Sequence, residues 1–94
     1  MEYIDVKWIH KSATDPIRLV SELDDRRYEI RKLEFFPDGR VGFASKHQNS
    51  PGTDLGSVEV PPLAEISNSP EFNGGSISAQ LFESLWTANA PSGA

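Results

Sequence analysis

The chain holds two histidines, His10 and His47, and no cysteine. Metal sites built from imidazole and thiolate need several such ligands at short spacing, and neither histidine has one beside it. His10 reads as a polar residue at the rim of a strand, so no metal or other cofactor is expected. Nucleophilic catalysis has as little support. Ser12, Ser45 and Ser50 fall in turns or loops, and none sits in the Gly-x-Ser-x-Gly elbow that exposes a nucleophile. The paired acids Asp24 and Asp25 suit a turn. Glu29 and Glu34 stand among Arg27, Arg31 and Lys32, where ion pairing across neighbouring strands is the simpler account. A small acid–base enzyme would need His10, Glu22, Glu29 and Glu34 to converge at one end of a sheet. The expectation is that they do not, and that the protein is not an enzyme.

Binding chemistry is the next candidate. Arg26, Arg27, Tyr28, Arg31, Lys32, Phe35, Phe36 and Arg40 could stack on bases and neutralise phosphates. Acids interrupt this run and several of its aromatics are needed for a core, so nucleic-acid binding through Arg26, Arg27, Arg31, Lys32 and Arg40 is the alternative expectation and not the leading one. Asn73-Gly74-Gly75-Ser76 reads as a loop leading into a helix, with no Lys or Arg to complete a phosphate site. Charge is more informative. The net charge is −5, and all nine Lys and Arg residues lie between Lys7 and Lys46, balanced by the nine acids of the first half of the chain. The remaining acids, Asp54, Glu59, Glu65, Glu71 and Glu83, have no cation in their half of the chain. Such a surplus repels phosphate backbones and attracts a basic partner.

These residues are positioned by elements that the hydrophobic pattern predicts. Ile4, Val6 and Trp8 alternate with Asp5 and Lys7 as in a half-buried strand within residues 2–11. Ser12 to Pro16 is a turn, and Ile17 to Leu23 resumes strand character. In the stretch 26–36, Tyr28 and Ile30 share one parity and Leu33 and Phe35 the other, so a β-bulge near Arg31-Lys32 or burial of both faces is required. Pro37-Asp38-Gly39 turns the chain into a short strand with Val41 and Phe43 facing inward. Residues 46–56 read as an exposed polar loop, Ser57 to Val60 as a further short strand, and Leu63 to Ile66 as a helical turn or an edge strand. Ser78 is placed as an N-cap, and Leu81, Phe82, Leu85 and Trp86 recur at helical spacing as far as about Asn89. The expected fold is α+β: an antiparallel sheet of four to five strands with one C-terminal helix packed on one face.

With 94 residues, the chain is expected to form one domain over residues 1–90 with a short flexible tail at 91–94. Its core rests on a few large side chains, among them Trp8, Phe82 and Trp86, leaving little apolar surface for a deep cavity. The absence of cysteine suits a reducing cytoplasm. Charged residues throughout positions 1–20 exclude a signal peptide, and no apolar run is long enough to span a membrane.

The segment Tyr28-Glu29-Ile30-Arg31-Lys32-Leu33-Glu34-Phe35-Phe36-Pro37-Asp38-Gly39 resembles a family of small bacterial domains of unknown function. The resemblance extends to Val6-Lys7-Trp8-Ile9-His10, Pro16, Glu22, Leu63-Ala64-Glu65-Ile66, Pro70-Glu71-Phe72, Phe82 and Trp86. It covers almost the whole chain and carries no catalytic residue across. Small acidic single domains of this general kind are often immunity proteins. The leading expectation is therefore a cytoplasmic protein-binding domain, an immunity or antitoxin-like inhibitor whose Asp54, Glu59, Glu65 and Glu71 dock on a basic toxin. Pairing of two copies through a sheet edge is a further expectation.

Overall fold

The computed structural model describes residues Met1 to Ala94. Five antiparallel strands form one sheet in the order β4-β3-β2-β1-β5. They are β1 (Glu2–Trp8), β2 (Arg18–Leu23), β3 (Glu29–Phe35), β4 (Val41–Ser45) and β5 (Phe72–Ser76), joined by a short helix α1 (Leu63–Ile66) and closed by α2 (Ala79–Asn89). The first four strands are a meander, since each connection is short enough to return the chain beside itself. The fifth returns along the free side of β1, pairing Ile4 with Ser76 and Trp8 with Phe72.

Strand alternation sorts the side chains onto two faces. The register Asp5–Val20–Leu33–Phe43 defines one face, and Ile4–Ser21–Lys32–Ala44 the other. Helix α2 covers the first. Ser78 caps it, its hydroxyl accepting the Leu81 N–H at 3.0 Å, and Phe82 and Trp86, one turn apart, pack into Val20 and Leu33. Full burial of a side chain such as Phe82 contributes roughly 1.5–3 kcal/mol. Tyr3 packs at a tilt against Phe82, and Phe43 meets Trp86 edge-on. The final residues belong to this layer, because Ala90 and Ala94 pack against the same cluster.

The second face is covered by the chain from 46 to 71. Ile4, Val6 and Leu23 form its core, with Val60, Leu63, Ile66 and Phe72 laid over them. Residues 46–56 are more closely tied to the sheet than a polar loop suggests. Ser50 returns to Phe43 through paired hydrogen bonds, Ser45 N–H donates to the Gln48 carbonyl, and Thr53 is fully buried. The outer edge of β4 is thus occupied by its own loop, leaving β5 as the other sheet edge.

Two elements differ from the sequence-based expectation. Ser57 to Val60 is not a strand: the Val60 N–H bonds the carbonyl of Arg27 in the β2–β3 turn, outside any ladder. The fifth strand lies instead at Phe72–Ser76, where the glycine pair reads as a loop in sequence. The residues flanking Gly74 explain its type. A Cβ there would stand 3.0 Å from Leu63 Cδ2 and 3.3 Å from Val6 Cγ2, so the glycine lets α1 pack closely on the sheet. Of the two alternatives for residues 26–36, a bulge near Arg31-Lys32 or burial of both faces, a bulge is present: the register of β2 and β3 shifts between Glu22 and Leu23, at Ile30.

Candidate binding site

The bulge decides which carboxylates meet. In a regular strand Glu29 would share a face with Arg31 and Leu33, whereas here it pairs with Leu23 and joins Lys32 and Glu34 beneath the 46–62 segment. Lys32 Nζ donates to Glu29 Oε1 at 3.1 Å and lies 3.9 Å from Glu34 Oε2. The Gly56 N–H also donates to Glu29 Oε1, at 2.7 Å, and the Thr53 hydroxyl to Glu34 Oε1, at 3.0 Å. Glu29 and Glu34 are thus paired within their own strand and stitched to the covering loop, not paired across strands as expected.

Beside this network a pocket of about 440 Å³ opens between the sheet and the covering segment. Its walls are Ile4, Val6, Leu19, Val60, Ile66 and Phe72. Ser21, Glu29, Glu65 and Ser69 supply the polar lining, and no Lys or Arg lines it. The cavity is larger than the chain's modest apolar content led us to expect. Arg27 holds one wall in place. Its guanidinium donates to the Val60 carbonyl (Nε, 2.8 Å), the Pro61 carbonyl (Nη2, 2.8 Å) and the Glu2 carboxylate. Arg27 itself takes a left-handed backbone conformation, φ 67°, which costs a non-glycine residue roughly 1 kcal/mol.

The cations expected to read nucleic acid are not brought together. Arg31 points to the helix face, bonding Glu22 and Glu83 with its guanidinium 4.9 Å from the Phe82 ring centre and 5.2 Å from that of Trp86. Glu22 and then Glu83 hold this guanidinium charged, its pKa raised above the ordinary arginine value. Lys32 lies on the opposite face. Arg27 is engaged as above, Arg40 is held by Asp38 over the Phe36 ring, and Arg26 is exposed. Arg18 bonds Asp5 bidentately, which raises its pKa, and stacks on Phe35.

The acid–base quartet is likewise divided. Glu22 lies on the helix face beside Tyr3, whose phenol is shifted upward by burial and by Glu22, while Glu29 and Glu34 lie on the other. His10 braces the β1–β2 connection. Its Nδ1 accepts the Ser12 N–H at 3.0 Å and its Nε2 meets the Pro16 carbonyl at 2.7 Å, which places the proton on Nε2. Trp8 stacks on Phe72, meets His10 edge-on and keeps its indole N–H buried without a partner.

The four acids singled out from sequence, Asp54, Glu59, Glu65 and Glu71, are all exposed, and none forms an ion pair. Asp54 alone has a side-chain partner, the Asn49 amide at 3.1 Å. All four lie on the segment 54–71 that covers the second face, together with Val58, which is 72% exposed. Sequence reasoning missed Ser21, Thr53, Val60 and Phe72. The only signal for them was the phase conflict in β3, which marks the bulge that turns Glu29 toward them.

No curated protein and no solved structure matches the chain. Residues 2–91, the whole sheet and both helices, match the family described as the domain of unknown function DUF6881, and the chain belongs to that family.

Proposed function

We propose that the chain is a protein-binding domain that docks a basic partner through the segment 54–71. The observation carrying this reading is the division of charge. Five cations, Arg18, Arg27, Arg31, Lys32 and Arg40, are spent on internal ion pairs, while Asp54, Glu59, Glu65 and Glu71 face solvent with no cation opposite them. Exposed acids without internal partners add little to stability, but they speed encounter with a complementary surface. Val58 supplies an apolar contact within the same segment.

The specific form of this reading is an immunity or antitoxin-like inhibitor that occludes a basic toxin in a reducing cytoplasm. The lack of cysteine suits that compartment, and no helix is long and apolar enough to cross a membrane. The test is affinity capture from native lysate at low and high salt, using the native chain and a variant with Asp54→Asn, Glu59→Gln, Glu65→Gln and Glu71→Gln. A stoichiometric basic protein held by the native chain alone, and lost at high salt, is the expected result. Equal retention by both chains, or recovery of nucleic acid, overturns the reading. A partner whose own activity survives saturation by the domain excludes the inhibitory form.

A further inference from the structure

The pocket beneath the covering segment has a chemistry of its own, sharing only Glu65 with the exposed acids. Its volume of about 440 Å³ falls in the roughly 300–1,000 Å³ range of small-molecule sites. Ile4, Val6, Ile66 and Phe72 give it apolar walls. Its polar end is unevenly satisfied. Glu29, with a side chain only 11% exposed, has its Oε1 filled by Lys32 Nζ and the Gly56 N–H, but Oε2 receives only the Ser21 hydroxyl at 3.4 Å. That contact is long for an O–H···O bond. A nearly buried carboxylate oxygen short of donors costs free energy unless something supplies one. Glu65 adds a second negative charge to the lining, and no cation balances it from within.

We infer that this pocket binds a small amine, an alkyl or aryl body carrying one ammonium group. The body lies against the apolar walls, and the ammonium donates to Glu29 Oε2 and the Ser21 hydroxyl, with Glu65 adding attraction. A carboxylate of the same shape is repelled, and an alcohol gains the packing without the charge. A free molecule fits better than a side chain from a partner, because the volume exceeds what one lysine stem fills.

The probes are n-hexylamine, 1-hexanol and hexanoate, titrated at neutral pH into the full chain with ¹³C-labelled methyl groups. Hexylamine is expected to shift the methyl signals of Ile4, Val6, Leu19, Val60 and Ile66 saturably, binding about tenfold more tightly than hexanol, with hexanoate weakest. Glu29→Gln keeps an acceptor for Lys32 and Gly56 and is expected to abolish the preference for amine over alcohol. Glu65→Gln, at an exposed position, is expected to reduce it and serves even if the Glu29 variant folds poorly. Hexanol or hexanoate binding as tightly as the amine overturns the inference, as do shifts confined to methyls on the α2 side of the sheet. N-acetyl-lysine methylamide separates the sources: tighter binding than hexylamine would show that the site takes a peptide lysine and overturn the assignment to a free amine.

Discussion

Gly42 lies where the covering loop crosses β4, and Gly42→Ala isolates how firmly that loop is fixed. A Cβ built there stands 2.0 Å from Thr53 Oγ1, 3.1 Å from Thr53 Cβ and 3.3 Å from Ser50 Oγ. Thr53 cannot swing away cheaply, because it is 1% exposed and its hydroxyl donates to Glu34 at 3.0 Å. Losing a hydrogen bond to a carboxylate costs roughly 1.5–3 kcal/mol and overpacking roughly 1–3 kcal/mol, so a total of about 2.5–6 kcal/mol is expected. For a domain of this size that lowers Tm by upward of about 10 °C. Urea unfolding followed by tryptophan fluorescence measures it. Gly75→Ala is the control, since nothing lies within 4 Å of its Cβ, and its effect is expected to stay within about 0.5 kcal/mol. In a Thr53→Ala background, Gly42→Ala should cost at least about 1 kcal/mol less than in the native chain. A loss below about 0.5 kcal/mol, or one unchanged by Thr53→Ala, would refute the packing of this loop.

Arg31→Met leaves Glu22, whose side chain is 8% exposed, as an unpaired charge, and is expected to cost about 3 kcal/mol in urea unfolding. Adding Glu22→Gln should recover part of that loss; a cost under about 1 kcal/mol would show that the cluster is not held by charge. Ser78→Ala removes the α2 cap bond and should cost about 1 kcal/mol, read from the same transition. The Arg40 N–H and then its side chain hold the Asp38 carboxyl below the ordinary value of 3.8. A depressed carboxylate stabilises the fold above its unfolded pKa and loses that contribution as pH falls through the folded one. The Tm advantage of the native chain over Asp38→Asn is therefore expected to be full near neutral pH and to vanish on acidification below 3.8; an advantage independent of pH would contradict this pairing.

Much of the sheet and helix was readable because each has a periodic apolar signal. The mixed parity of Tyr28, Ile30, Leu33 and Phe35 called for a bulge near Arg31-Lys32 or for burial of both faces, and a bulge lies at Ile30. Ser78, Phe82 and Trp86 marked α2 and its buried side. The fifth strand was hidden by its own packing. Gly74 gives a turn signal in sequence, yet it is there to admit Leu63 and Val6, a contact between segments far apart in the chain. The loop at 46–56 misled for a related reason. Thr53 is buried with its hydroxyl bonded to Glu34, and one polar residue produces no periodicity. The exposed acids could be identified from charge distribution alone. The pocket could not, because its walls come from β1, β2, α1, β5 and the 60–61 segment.

The proposal of a basic partner meets its sharpest test in association kinetics with the captured protein. The rate constant is measured against ionic strength for the native chain and for the variant neutralised at Asp54, Glu59, Glu65 and Glu71. A native rate that falls steeply with salt, and a variant rate that is slow and nearly flat while its Tm is unchanged, is the outcome expected of docking through residues 54–71. Equal rates with equal salt dependence in the two chains would contradict it.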